Sequence, residues 1–295
     1  MPEAVGLYPV AQKWGCAMQI GIIGRKPASA LVAKRWLQAG YQVVGFDPHH
    51  EPGKVAWPTG ATPVDRFDDL AIALSPPRTL WMALQSRAET ECVYNTLLPL
   101  LGRGDTVIDA GRSYYKDTLR RALVFSRFQY WLIDVGVCGA WPLTDGCCLA
   151  IGGDRSTVER LSGIFDALGA SGAQSWGWIG QEGAGHFARM LHHAMSWAMA
   201  RVADEGFTIL GLKAEPAVDL RQLATLWDHG DEARSCFLNL AAPDRVTKRG
   251  RMGARDAALD EAPDARWVLE EASELRVAIP LLAGSLLSLL RKSSP

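Results

Sequence analysis

The sequence has almost no excess of charge: 31 Lys and Arg stand against 32 Asp and Glu in 295 residues, a formal net charge of −1. A chain so balanced has no overall electrostatic pull toward nucleic acid or anionic lipid, and neither partner is expected. Its six cysteines (Cys16, Cys92, Cys138, Cys147, Cys148 and Cys236) include no C-x-x-C pair. That scatter indicates neither a zinc site nor a disulfide framework, and a reduced, cytoplasmic setting is expected. Residues 1–17 lack the apolar stretch of a secretion signal. The longest apolar run, residues 278–290, matches one core helix and falls short of a membrane span. Global disorder is excluded as well, because 48% of the residues are hydrophobic and only 21% charged.

What is present is alternation. Residues 18–24 (MQIGIIG) form an apolar, β-branched run ending in glycine, the pattern of a strand buried on both faces of a parallel sheet. Pro27 stands where a helix can begin, helix formers occupy 28–39, and Gly40 supplies a stop. A second strand follows at 41–47, completing one βαβ unit. Further strands are expected at 79–84, 105–109, 130–137 and 147–151, with helices near 89–101, 119–126 and 156–168. This order predicts a doubly wound α/β domain of Rossmann type.

Beyond Gly180 the pattern turns helical, with one long helix over 183–211 and no convincing strand after it. The expected organisation is an N-terminal extension (1–17), a dinucleotide-binding-like domain (18–178) and an all-helical domain (179–295). Residues 241–256 are the expected mobile loop.

A strand–turn–helix opening is where a dinucleotide pyrophosphate sits on free backbone N–H groups, and its usual fingerprint is G-x-G-x-x-G. Here those three positions are Gly24, Lys26 and Ser29. Lys26 places a side chain where the pyrophosphate approaches, and Pro27 removes a donor. Two readings stand: Arg25 and Lys26 hold phosphate as charges, or the turn is a structural corner whose ligand is lost. Asp47, at the end of the second strand, is where an acceptor for a ribose hydroxyl belongs, which favours NAD over NADP as cofactor.

Several blocks together carry a family resemblance: MQIGIIG (18–24), VIDAGRSYYKDT (107–118), DVGVCGAW (134–141), DGCCLAIGGD (145–154), GAGHFARMLHHAMSWAMARVADEGF (183–207), WDHGDEARSCFL (227–238) and RWVLEEASEL (266–275). In this order they resemble the short form of decarboxylating 6-phosphogluconate dehydrogenase, of the β-hydroxyacid dehydrogenase superfamily. The resemblance implies a Rossmann domain followed by a helical domain that dimerises. It also implies oxidation of the 3-hydroxyl of 6-phosphogluconate by NAD(P)+, loss of CO2, and protonation of the enediol to ribulose 5-phosphate. In the family a lysine on the long helix handles the hydroxyl proton, a glutamate seven residues on protonates the enediol, and a histidine-asparagine pair lies between.

Transferred to this chain, the helix keeps His186 and His192, while Arg189 replaces the lysine, His193 the asparagine, Ser196 the glutamate and Trp197 a neighbouring tyrosine. The family's Ser-Gly-Gly substrate loop reads Cys138-Gly139-Ala140, and its Gly-Gly-Asn-Ser turn reads Ala110-Gly111-Arg112-Ser113. Arginine does not lose its proton in proteins, so Arg189 orients an anion but cannot act as base. Serine is too weakly acidic to replace the carboxylic acid. His192 and His193 share one helical stripe with 189 and 196 and titrate near neutrality, so either can supply acid–base catalysis; a packed core stripe is the alternative. Arg112 and Arg189 match a small anionic substrate of the sugar-acid phosphate class, unless they pair with Asp109 or another acid. His186, Cys138 and Gly139 complete the expected substrate-binding set.

No metal is expected, because the three helix histidines lack i, i+4 spacing and an accompanying carboxylate. Cys138 is either a reactive thiol or a small apolar filler. Of the eleven tryptophans, Trp81, Trp131 and Trp267 are expected in the core; Trp141, Trp176 and Trp178 fall in expected loops.

Overall fold

The computed structural model describes residues 18–24, 28–48, 57–138, 148–169, 175–212, 215–229 and 258–292. Arg25, Lys26, Gly139, Trp141, the N-terminal extension and the expected loop at 241–256 lie outside them. By internal contacts the chain divides into Met1–Arg189 and Met190–Pro295.

The first unit is built in chain order from β1 (Gln19–Gly24), α1 (Ala28–Gln38), β2 (Gln42–Phe46), β3 (Thr62–Val64), α2 (Phe67–Ala73), β4 (Thr79–Ala83), α3 (Arg87–Leu97), β5 (Thr106–Asp109), α4 (Tyr115–Arg127), β6 (Trp131–Cys138), β7 (Cys148–Gly153), α5 (Arg155–Arg160), α6 (Ser162–Asp166), β8 (Trp176–Gly180) and the first turns of α7 (Ala184–Leu212). The strands form one sheet in the order β3-β2-β1-β4-β5-β6-β7-β8. All neighbours are parallel except β6 and β7. The apolar runs are explained by two-sided burial. Ile20, Ile22, Trp81, Ile108 and Ile133 pack on one face with Trp36. Ile23, Val44, Met82, Val107 and Leu132 pack on the other with Leu70 and Val93. The doubly wound Rossmann-type fold expected from the alternation is therefore the fold observed, followed by helices.

Helix boundaries follow local chemistry. Ser86 caps α3 by accepting from the Glu89 backbone N–H at 3.1 Å, while the Glu89 carboxylate accepts from the Gln85 N–H at 3.4 Å. Asp154 caps α5 through the Thr157 N–H at 2.8 Å, and its bonds to Ser156 and Thr157 hold its carboxyl below the ordinary range.

Three expectations need correction, and three short elements were not foreseen. The single helix at 156–168 is two short helices broken at Leu161, just before the poor helix formers Ser162 and Gly163. Strands β3 and β8 and helix α2 had no expectation; each is short, so periodicity is weak. Trp176 and Trp178 lie on β8 rather than in loops, their indole N–H groups bonding Asp166 Oδ1 (2.6 Å) and Gly153 O (2.8 Å). Trp131 is not core: it is 40% exposed and lines a cavity of about 350 Å³ with Arg103, Gln129 and Tyr130 at the N-terminal end of β6.

One close approach of helix to sheet is made through glycine. A Cβ on Gly136 of β6 would overlap the Gly185 carbonyl of α7 and stand 3.0 Å from Arg189 Cβ. Because the obstacle is backbone, Gly136→Ala is expected to destabilise by roughly 3 kcal/mol, at the upper end of overpacking costs. Gly206, on the same helix with nothing within 4 Å of an added Cβ, gives the opposite sign: Gly206→Ala should stabilise by about 0.5–1 kcal/mol. Urea midpoints of the two variants check both.

The second unit contains the rest of α7 with α8 (Leu220–His229), α9 (Ala258–Glu274) and α10 (Pro280–Lys292). Its inner residues include Phe207, edge-on to Trp227 at 5.6 Å, and Trp197, whose indole N–H reaches Ser285 O at 3.4 Å.

Candidate active site

In open α/β sheets ligands settle beyond the carboxyl ends of the strands, where the chain order reverses. Here β1 lies between β2 and β4, so the reversal falls at the β1–α1 turn. Gly24 closes β1 with φ +154°, and a Cβ there would stand 2.7 Å from Ala83 O and 2.9 Å from Ser29 Oγ. Ser29 is fully buried in the first turn of α1, and its hydroxyl has no hydrogen-bond partner among the described residues. A reversal point, an obligatory glycine and an orphaned hydroxyl at a helix start together fit a dinucleotide phosphate. Asp47 follows β2 directly and is half-buried.

Beyond β5 and β6 lies a buried polar network that sequence reasoning missed. Asp109 ends β5 fully buried. Its carboxylate accepts from the Gly111 N–H (2.9 Å), the Ser113 hydroxyl (2.7 Å) and the Tyr94 hydroxyl (3.3 Å), while Arg121 approaches to 3.6 Å. Asp109 thereby folds the 110–113 turn back on itself and sets Arg112, whose N–H extends the sheet by bonding Leu84 O at 3.0 Å. Burial, with the Asp109 carboxylate beside it, pushes the Tyr94 phenol well above its ordinary value.

Asp134, opposite Asp109 in the β5–β6 register, serves the start of the long helix instead. Its two oxygens accept from the N–H groups of Gly183 (2.6 Å) and His186 (2.7 Å), capping α7 from a distant strand. Gly152 leaves room for this carboxylate, since a Cβ there would come within 2.5 Å of Asp134 Oδ1.

His186 joins the two aspartates. Its Nε2 lies 3.0 Å from the Asp109 carbonyl, which only accepts, so Nε2 carries the proton. Its Nδ1 meets the Thr118 hydroxyl at 2.8 Å. Both ring nitrogens of this fully buried side chain are thus engaged by the protein, a place that positions the strand ends rather than one open to a substrate. Two aspartates inside otherwise apolar strands, DTVID and YWLIDVGV, were the available signal.

Arg189 is 3% exposed, beside Gly136. Cys138 ends β6, half-buried, its thiol 3.7 Å from Gly136 O. Burial pushes that thiol above its ordinary value, and Arg189 pulls it partly back.

In the second unit His192 is exposed and Ser196 half-buried. The His193 Nδ1 stands 3.6 Å from Oδ2 of Asp264, a carboxylate of α9 that is almost wholly buried. Asp264 was not singled out in the sequence, because only the fold brings position 264 to position 193.

The comparisons with known proteins now bear on this arrangement. The profile described as "NAD binding domain of 6-phosphogluconate dehydrogenase" matches residues 19–180. An NAD(+)-dependent, decarboxylating 6-phosphogluconate dehydrogenase of Haloferax volcanii is 30% identical over 270 residues, covering 91% of this chain and 89% of that one. The chain belongs to the 6-phosphogluconate dehydrogenase family. The resemblance seen in the sequence blocks is thereby established, and the family is one of NAD(P)-dependent oxidoreductases. Two solved structures share its fold. A 3-hydroxyisobutyrate dehydrogenase from Salmonella typhimurium aligns with TM-score 0.73 at 19% identity over 94% of each chain. A Plasmodium falciparum 6-phosphogluconate dehydrogenase, solved with its cofactor NADP+ and its substrate, aligns with TM-score 0.70 at 17% identity, over 94% of this chain and 62% of that one. In the family's terms, the first unit carries the nicotinamide-dinucleotide domain. Among the described residues no helix is long and apolar enough to cross a membrane, and no group of three or more His, Cys, Asp or Glu is placed to hold a metal.

Proposed function

We propose that this chain is an NAD(P)-dependent oxidoreductase acting on a small anionic hydroxy acid of the 6-phosphogluconate class, with the family's proton chemistry moved to His193. The observation that carries this is the approach of His193 Nδ1 to the buried Asp264 carboxylate. A carboxylate behind an imidazole fixes its orientation and stabilises the cation formed when it takes a proton. Arg189, in the lysine position, cannot take that proton. Arg112 and Arg189 hold carboxylate or phosphate of the substrate, with Cys138 and Gly139 completing its surroundings, His192 and Ser196 flanking the proton path, and His186 bracing the strand ends instead of touching the substrate.

Gly24, Arg25 and Lys26 hold the dinucleotide phosphates, with Ser29 beneath them. Asp47 accepts from the ribose and repels a 2′-phosphate, so NAD is favoured over NADP. A nicotinamide bound there would supply the acceptor for the hydride of the substrate's carbinol carbon. His193 withdraws the hydroxyl proton, Asp264 steadies the ring, and Asp109 and Asp134 keep the strand ends and α7 in place. In this reading residues 18–178 serve the nucleotide and 179–295 are the family's helical part, in a cytoplasmic setting. Exposed Met195, Met199, Val202 and Ile209 along α7 support association into a homodimer.

A second reading, an anion-binding protein without turnover, is favoured by the buried arginine at the lysine position. Tryptophan fluorescence titrated with NAD(H) and NADP(H), followed by a 6-phosphogluconate assay read at the reduced-nicotinamide band, separates the two. The expected result is nucleotide binding, tighter for NAD, with turnover that falls about 10²-fold in His193→Ala, the usual worth of one acid–base group. No response to millimolar nucleotide removes the enzyme reading, and nucleotide binding without turnover establishes the second.

A further inference from the structure

Residues 138 and 148 flank the one antiparallel junction of the sheet. Cys138 is the last residue of β6 and Cys148 the first of β7, and they are direct partners in the register. Opposed residues of an antiparallel pair have Cα atoms about 4.5–5.5 Å apart and project to the same face. A disulfide needs Cα atoms about 4.4–6.8 Å apart, so the register brings this pair within the Cα range of a bond. Both thiols are free. The shared face is the one on which α7 begins, because Asp134 and Gly136 alternate with Cys138 and both touch that helix. The two residues differ in access: Cys148 is exposed and Cys138 half-buried. Burial raises the Cys138 thiol, and the nearby Cys148 raises it further. That asymmetry separates an entry thiol from a resolving one.

We propose that Cys138 and Cys148 form a reversible dithiol–disulfide site whose oxidant is a low-molecular-weight disulfide. The Cys148 thiolate attacks one sulfur of the reagent, whose S–S bond breaks and releases one thiol. The Cys138 thiolate then attacks Cys148 Sγ in that mixed disulfide, releasing the second thiol and closing the Cys138–Cys148 bond. The protein gives up two electrons and two protons, and the reagent is reduced to two thiols. The bond removes the Cys138 thiol from beside Arg189. Neither step involves nucleotide or substrate, so the bond can be read independently of turnover, although Cys138 is also among the residues proposed above to surround the substrate.

The full chain is incubated with oxidised glutathione, alkylated, digested without reduction and mapped by mass spectrometry. The expected product joins the peptides holding Cys138 and Cys148, lighter by two hydrogens and reopened by dithiothreitol. In Cys138→Ser and Cys138→Ala the glutathione adduct stays trapped on Cys148. In Cys148→Ser the cross-link is lost completely and Cys138 remains a thiol. A folded, natural chain that forms no such link, that links Cys147 instead, or whose Cys138 variants hold no glutathione overturns the proposal.

Discussion

Asp134→Ala is expected to lower the folding free energy by about 3 kcal/mol, seen as a large drop in the urea midpoint with an unchanged slope. The carboxylate is the hydrogen-bond acceptor for the Gly183 and His186 N–H groups. Alanine leaves two buried donors without acceptors, at about 1–3 kcal/mol each, and removes an anion from a helix N-terminus. Part of that loss is offset, because burying the carboxylate is itself unfavourable. The offset has a signature in pH. Burial raises the Asp134 carboxyl above its ordinary 3.8, ahead of the lowering by His186 and the two N–H donors. Between about the ordinary value and the raised native one, the folded state binds more protons than the unfolded state. The contribution of Asp134 to stability therefore grows as pH falls through that window and shrinks as pH rises. Asp134→Asn removes the titration, so the stability advantage of the natural chain over this variant is expected to widen on acidification. A gap that stays flat or narrows as pH falls contradicts the account.

How much of this was legible beforehand divides along physical lines. Strands β1, β2, β4, β5 and β6 are continuous apolar runs because helices cover both faces of the sheet, and such runs announce themselves. β3, with three residues, and β8, where tryptophan alternates with glycine, carry no comparable pattern. The long helix was legible from its length. The polar network was not: Asp109, Asp134, Thr118 and His186 are scattered over the chain and meet only after the sheet has formed. Asp134 reads locally as an oddity within a strand, and its partner N–H groups lie about fifty positions away. The pairings of Cys138 with Cys148 and of His193 with Asp264 likewise need a register and a helix packing that spacing cannot supply. Residue types at the nucleotide turn were readable, yet the strongest structural signal there, the orphaned Ser29 hydroxyl, becomes visible only once burial is known.

Combining Arg189→Lys with Ser196→Glu in one chain is expected to raise 6-phosphogluconate-dependent nucleotide reduction by about 10²-fold or more. Each acid–base group contributes on the order of 10²–10⁴-fold, and groups acting as a unit are not additive. Arg189 is almost fully buried, a setting in which lysine surrenders its proton readily and arginine does not. Glutamate at 196 supplies a carboxyl where serine offers a hydroxyl of negligible acidity. Either single change leaves one half of the proton traffic unserved, so both singles are expected to gain much less than the pair. The role assigned to His193 gives the decisive comparison. If it carries the proton chemistry in the natural chain, His193→Ala costs about 10²-fold there and far less in the double variant, where a second base is available. An equal loss in both backgrounds marks His193 as a packing residue. No gain in the double variant, with nucleotide binding intact, removes the premise that residues 189 and 196 hold the family's proton-transfer positions.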